Sequence, residues 1–419
     1  MVRTTHTYRK WQLWLMGAMA AFAACTAQAQ STNQSKPVQT IAEAFEITWS
    51  RQPEARSQIE RQHALRSQQA AAQAWTPEPP SLELSSKSDS WRKQAGATEQ
   101  TLGISMPLWL PGERRQGMVL IGAQMSAFEL QTKAQQLQVA GLVRESWWAL
   151  QRAHIDKELA NDQLQSLLRI ASDVQQRVKA GDLAQSDARQ AEGAVASAES
   201  NLAQAEATLT AARQSLNTLV GAQTEFKPAT PLIAESEPKG AQLDNHAALL
   251  SLQAKSDVAQ QATQLAMLRK RSNPELTLAK SRDRNTSAEP YGEKYTIGLR
   301  IPFGSGSRHD ASVALAQAEL TELQTQLALD KEQLNAQWHI AQAKVNAARL
   351  QLKATERWAN LAQANRSSFE KSFRLGETDL PTRLRAEAEA AEAMRQASRI
   401  QIELAAAISQ WRQAAGLLP

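Results

Sequence analysis

Thr101-Leu102-Gly103-Ile104-Ser105-Met106-Pro107-Leu108 returns 195 positions later as Thr296-Ile297-Gly298-Leu299-Arg300-Ile301-Pro302-Phe303. Both stretches alternate with a period of two, the mark of a strand with two unlike faces. Leu102, Ile104, Met106 and Leu108 share one face, opposite Thr101, Gly103, Ser105 and Pro107. Ile297, Leu299, Ile301 and Phe303 likewise oppose Thr296, Gly298, Arg300 and Pro302. Two further pairs keep the same order. Pro80-Ser-Leu82-Glu-Leu84 matches Pro274-Glu-Leu276-Thr-Leu278 at offset 194, and Arg177-Val-Lys-Ala-Gly181-Asp matches Ser372-Phe-Arg-Leu-Gly376-Glu at offset 195. The chain is two copies of one unit.

Proline marks the borders of the helices, because it breaks helix interiors. None occurs between Pro111 and Pro228 or between Pro302 and Pro381, and no glycine lies between Gly306 and Gly376. Each unit then reads helix, strand, strand, long helix, sharp turn, helix. The helices are expected at 41–75, 113–178 and 183–218, then at 241–272, 308–374 and 380–415. Ser307 with Asp310 is expected to cap the second long helix, whose 67 residues span about 100 Å. The four strands are expected near 80–90, 99–109, 273–285 and 290–303.

The helix after each turn carries heptads. Ala188, Val195, Leu202, Leu209 and Leu216 recur every seventh residue, with Ala191, Ala198, Ala205, Ala212 and Leu219 on the second seam. The other unit repeats this with Ala390, Ala397, Leu404 and Trp411 beside Ala386, Ala393, Ile400, Ala407 and Ala414. Such patterning predicts coiled-coil packing, and the alanines allow close approach. In each unit the two shorter helices together match the long one in length. They are expected to stack end to end beside it, in a tall hairpin that needs lateral neighbours.

Residues 1–29 have the build of a secretory signal peptide: Arg3, Arg9 and Lys10, an apolar run from Trp11 to Ala24, and Ala27-Gln28-Ala29 as the cleavage site. Two readings of Cys25 stay open. Phe22-Ala23-Ala24-Cys25 resembles a bacterial lipoprotein box, which would leave Cys25 lipidated; otherwise Cys25 leaves with the signal. Removing 1–29 takes three cations and no carboxylate, so the formal net charge falls from +5 to +2. No clustered basic face suggests a nucleic-acid partner. The domain plan is a signal peptide at 1–29, a first repeat at 30–220 with strands within 80–109 and a tip near 181, a linker at 221–240, and a second repeat at 241–419 with strands within 273–303 and a tip near 376.

The 419 residues hold one cysteine and six histidines. A disulfide framework and a cysteine zinc site are excluded, and no two histidines stand at ligand spacing on one helix. No metal site and no cofactor is expected. Gly304-Ser-Gly306 lacks the third glycine of a dinucleotide fingerprint, and no Gly-x-Ser-x-Gly or Walker sequence is present. Trp147-Trp148 reads as packing. Nothing points to an enzyme.

Strands of about 10 residues, apolar on one side and polar on the other, suit an outer-membrane barrel. A half-buried sheet in water gives the same alternation. The aromatic residues Trp91, Trp109, Tyr291 and Tyr295 fall near strand ends, where membrane girdles lie. Four strands cannot close a barrel, so an exported chain of this kind must share one with copies of itself.

Met106-Pro107-Leu108-Trp109-Leu110-Pro111-Gly112-Glu113-Arg114-Arg115, Ile301-Pro302-Phe303 and Val178-Lys-Ala-Gly181-Asp-Leu183, set in the duplicated unit, resemble the TolC family of outer-membrane efflux proteins. Pro-Leu-Trp-Leu-Pro-Gly-Glu-Arg-Arg is most similar to its CzcC-type heavy-metal branch. The resemblance implies a mainly α fold with a small β part. Long coiled-coil hairpins form an α-barrel when trimeric, and four strands enter a shared twelve-stranded barrel in outer-membrane lipid. It implies a homotrimer that works with a periplasmic membrane-fusion adaptor and an inner-membrane RND pump. Leu102, Ile104, Met106, Leu108, Ile297, Leu299, Ile301 and Phe303 would face lipid. Ala180, Gly181, Asp182, Leu183, Leu375, Gly376 and Glu377 would form the adaptor-contacting tips, although each glycine also serves the turn backbone.

The aspartates common in the family six and nine residues past the second tip glycine are replaced here by Thr382 and Arg385, whereas the first tip keeps Asp187. A periplasmic gate of Asp187 with Arg383 or Arg385 is the alternative, set against a plain solvated helix face. The expected function is a channel of a tripartite efflux system for divalent cations such as cobalt, zinc and cadmium. The alternatives are a like channel for drugs or other organic compounds, and a periplasmic coiled-coil adaptor or scaffold.

Overall fold

The computed structural model describes residues 38–89, 96–221, 226, 234–240, 243–304 and 306–419. The expected signal peptide with Cys25, Trp91 and most of the expected 221–240 linker lie outside them. The helices are α1 (Ile41–Arg51), α2 (Pro53–Arg56), α3 (Gln58–Ala72), α4 (Glu113–Ala180), α5 (Gln185–Val220), α6 (Ala247–Leu268), α7 (Gly306–Arg374) and α8 (Leu380–Ala414). The strands are β1 (Ser81–Ser88), β2 (Thr98–Pro107), β3 (Glu275–Arg284) and β4 (Gly292–Arg300). They form one antiparallel sheet in the order β1-β2-β3-β4.

The helices stand in four columns that follow the strand order. α1, α3 and α5 lie along α4; α6 and α8 lie between α4 and α7. With 68 and 69 residues, α4 and α7 each run about 100 Å. Shorter helices therefore accompany each full-length one. α4 and α6 also pack together, so the two hairpins join into one wall.

Four expectations about the helices are corrected. The first helix is broken at Gln52, because the proline ring of Pro53 pushes the preceding residue out of the helical region (ψ 141°). The helix expected at 241–272 begins only at Ala247, after a 3₁₀ turn at Leu243–Asn245, with the His246 side chain accepting from the Ala248 amide at 3.3 Å. The last long helix starts at Gly306, so Ser307 lies inside its first turn and is not the cap. The shorter helices α6 and α8, with 22 and 35 residues, do not fill the length of α7.

Residues 234–240 and 243–246 lie at that gap and make the waist of the molecule. Buried Arg144 gives two bonds to Glu235, at 2.9 and 2.7 Å, and a third to the Leu417 carbonyl. Arg412 also reaches Glu235, at 3.2 Å. Around this clamp Val143, Trp147, Trp148, Leu216, Val220 and Ile402 form an apolar cluster. Trp148 donates its indole N–H to Ser409 at 2.8 Å, so the tryptophan pair is packing. A second cluster, Leu164, Leu167, Ile170, Val174, Phe373 and Leu380, closes the turn end. The heptad alanines Ala188, Ala191, Ala198, Ala386, Ala390 and Ala393 are all buried.

Burial holds the His246 imidazole below its ordinary range, against a smaller opposing hydrogen bond to the Gln413 carbonyl. The unfolded chain thus takes up a proton, below about pH 6.5, that the folded chain resists. This contribution is complete above that pH and is lost as the pH falls toward the lower folded value. Acidification from about pH 7.5 to 5.5 should lower the unfolding temperature. In His246→Asn, which keeps a capping acceptor, that drop should shrink. Equal drops in the two proteins, read by circular dichroism, would refute this role for His246.

Candidate functional site

The register settles which strand face is which. Leu82, Ile104, Leu278 and Ile297 lie directly across from one another, and Met106, Leu276 and Leu299 make the next row. Leu84 and Leu102 add a third. This apolar face is the open one: Leu84 is 73% and Ile297 78% exposed, whereas Gly103 and Ser105 on the other face are buried. A sheet folded for water alone would cover its leucines. From Leu102 to Leu108 the band rises about 20 Å at strand spacing. Leu108 and Phe303 are exposed at its helix-side end, and Tyr295 at the other.

The inward face is polar. It carries Glu83, Thr101, Ser105, Thr277, Thr296 and Arg300, with Ser105 bonded to Glu275. Lys87 pairs with Glu99 at 3.3 Å and Lys294 with Asp283 at 2.7 Å. Charges there are largely neutralised within the sheet.

Glu113 joins sheet to helices. Gly112 takes a left-handed turn (φ +82°) that drops Glu113 into the interior at 2% exposure. Its carboxylate accepts from the Leu110 amide at 3.1 Å, Asn273 Nδ2 at 2.9 Å and Arg269 Nε at 2.7 Å. One side chain therefore ties the end of β2, the start of α4, the end of α6 and the approach to β3. The Pro111-Gly112-Glu113 motif has this mechanical reason.

The two turns at the far end are built alike. Gly181 (φ +87°) and Gly376 (φ +76°) end their helices in the left-handed region. The following amides, of Asp182 and Glu377, reach back to the Arg177 and Ser372 carbonyls at 2.9 Å, the closing bond of a Schellman cap. Nothing lies within 4 Å of a Cβ built at either glycine, so conformation and not crowding selects glycine. Asp187 accepts from the Ala184 amide at 3.2 Å and starts α5. Asp379 does the same for α8 through Thr382, whose hydrogen bonds hold its carboxyl below the usual range. Ala180, Asp182, Leu375 and Glu377 are exposed, Leu375 at 75%, while Leu183 packs on the apolar cluster beneath.

Asp187, Arg383 and Arg385 do not meet within one chain. Asp187 serves the cap, and exposed Arg385 acts on Asp379. Arg383 donates to Asp173 at 3.4 Å and stacks on Phe373, 4.8 Å from the ring centre. Arg177 stacks on the same ring at 5.0 Å and donates to the Phe373 carbonyl. Phe373 thus locks the two turns together, a role that sequence reading misses. Its one signal is that the repeat places a phenylalanine where the first copy has Val178. Nearby, Glu387 accepts from Ser166 at 2.5 Å and Arg366 at 2.8 Å.

Among the described residues, no group of three or more His, Cys, Asp or Glu side chains is placed to hold a metal ion. No helix among them is long and apolar enough to cross a membrane.

Residues 50–222 match the family model described as outer membrane efflux protein. No curated protein matches the chain. Among the similar solved structures, three illustrate matches over nearly whole lengths. CusC, studied for conformational changes accompanying folding and transmembrane channel formation, is 16% identical over 92% of this chain and 96% of that one, with a TM-score of 0.76. The outer membrane protein VceC of Vibrio cholerae is 16% identical, covers 90% and 96%, and has a TM-score of 0.72. The open state of the MtrE outer membrane channel of Neisseria gonorrhoeae is 14% identical, covers 90% and 89%, and has a TM-score of 0.71. The chain has the fold of the TolC-type outer membrane efflux channels, and residues 50–222 match them in sequence. Proteins of this type are conduits and not enzymes.

The empty space around Gly376 makes a clean test of its turn. Gly376→Asn should loosen the tip least, Gly376→Ala by about 1–2 kcal/mol, and the β-branched Gly376→Val most. Hydrogen exchange of the Leu375 and Glu377 amides should accelerate in that order. Equal exchange in all three would show that the left-handed backbone is not what selects glycine there.

Proposed function

We propose that three copies of this chain form an outer-membrane exit duct for divalent heavy-metal cations. The observation that carries the duct is the sheet: its apolar face is open, its polar face is turned inward, and β1 and β4 each have one unpaired edge. Edges left open in lipid would strand backbone groups without partners, so copies must close the ring. The helical wall continues the sheet as a periplasmic tunnel, and the Gly181 and Gly376 turns are its far tips. An adaptor or scaffold would have no use for an open apolar band.

The metal cargo is supported by the likeness of Pro107–Arg115 to the heavy-metal branch. Energy comes from an inner-membrane RND pump, and a periplasmic adaptor grips the tips. Ala180, Asp182, Leu375 and Glu377 are the exposed contacts there, with Gly181, Leu183 and Gly376 shaping them. Asp187, Arg383 and Arg385 line the closing end, with Arg383 held by Asp173.

The test is growth of a clean deletion strain on cobalt, zinc, cadmium, nickel, copper and silver salts, beside dyes and antibiotics. Sensitivity to divalent metals alone, restored by the intact gene, is the expected result. Sensitivity to organic compounds alone would keep the duct and remove the metals. Leu375→Glu with Glu377→Arg should restore no resistance at unchanged channel amounts; full restoration would contradict the tip contact. Asp187→Arg should raise leakage of small ions through the reconstituted channel, and wild-type leakage would remove Asp187 from the gate.

A further inference from the structure

We propose that the outward face of β3, just beyond the apolar band, binds the phosphate groups of the phosphorylated glycolipid in the outer leaflet. The inference rests on the channel reading, which sets the sheet in lipid. The helices leave the sheet at the Ser81, Pro107, Glu275 and Arg300 end, so the β1–β2 and β3–β4 connections lie at the opposite, outer end. Going that way along the outward face of β3, Leu276 and Leu278 give way to Lys280, Arg282 and Arg284. The change falls level with Leu102, where the leucine rows stop.

Charge on the two faces differs at this height. Inward, Lys87–Glu99 and Lys294–Asp283 are paired. Outward stand three cations and one strand carboxylate, Glu293, which pairs with Lys280 at 2.9 Å. Glu289 lies in the β3–β4 turn. Neither Arg282 nor Arg284 pairs with a carboxylate among the described residues. Both are held by the Tyr291 ring, at 4.2 and 4.7 Å from its centre, and Arg284 also donates to the Gly96 carbonyl. Guanidiniums held by a ring keep their N–H forks for an anion, and two on one strand face stand about 7 Å apart.

A shallow groove of about 430 Å³ beside them has the polarity of a lipid. Leu84 and Leu102 line its membrane end, Ser86 and Gln100 its outer end, and Lys280 and Arg282 one wall. An acyl chain meets the leucines, sugar hydroxyls meet Ser86 and Gln100, and phosphate meets the cations. An anionic glycolipid matches all three; a soluble anion has no use for the leucines.

The experiment extracts full-length protein from its own outer membrane in mild detergent and measures glycolipid phosphate bound per chain. Arg282→Gln with Arg284→Gln should reduce it about tenfold, and Arg282→Lys with Arg284→Lys, which keeps the charge but not the fork, should fall between the Gln variant and wild type. Wild-type amounts in a membrane-inserted Gln variant would overturn the proposal and leave the channel standing. Glycerophospholipid alone on the wild-type protein would also overturn it. If the Gln variant fails to insert, delipidated wild-type protein decides: it should retain bisphosphorylated glycolipid and not its dephosphorylated form, and equal retention would overturn the proposal. Wild-type protein absent from the outer membrane would overturn the channel reading first.

Discussion

A sheet of four strands with its apolar face open has two edges that nothing in its own chain can pair. β1 and β4 hold those edges, and their outer backbone groups require either water or another strand. On the proposed reading water is not available where Leu84, Ile104, Leu278 and Ile297 form a continuous apolar face. The same order runs through the helices, from the α1–α3 and α5 column to α7. On the proposed reading, sheet and helical wall therefore close together, on further copies of the chain.

Two polar devices make the wall rigid enough for such closure. At the sheet end, the buried Glu113 carboxylate joins four segments; removing it would leave the buried Leu110 amide unpaired, at a cost of about 1–3 kcal/mol. At the waist, Glu235 sits between Arg144 and Arg412 and fixes the segment that bridges the two repeats. Between them the helices rely on alanine-rich seams, whose close approach needs little side-chain volume. At the far end, Phe373 between Arg177 and Arg383 binds one turn to the other.

Much of this was legible in the sequence because it is local or periodic. The alternation of Leu102–Leu108 and Ile297–Phe303, the proline-free runs and the Gly181 and Gly376 turns each act over a few residues. The heptads also pick out buried Ala188, Ala191, Ala198, Ala386, Ala390 and Ala393, although Ala205, Ala212 and Ala397 on the same seams are only half-buried. What escaped was long-range. Arg144 and Glu235 are separated by 91 positions, and Glu113 and Asn273 by 160, so no spacing rule links them. The break at Pro53 was open to reading, but the helical pattern on both sides of it masked the signal. Of the candidate site, the turn glycines and the apolar strand face were visible. The separate engagements of Asp187 and Arg383 were not, because both depend on partners that only the folded turns supply.

On the proposed reading this sheet closes only in company with further copies of the chain. The direct measurement is the mass of the detergent-extracted, unheated protein, taken together with its migration before and after boiling. Three chains per particle, collapsing to one chain on boiling, is the expected result. A stable particle of one chain that keeps its sheet would contradict it.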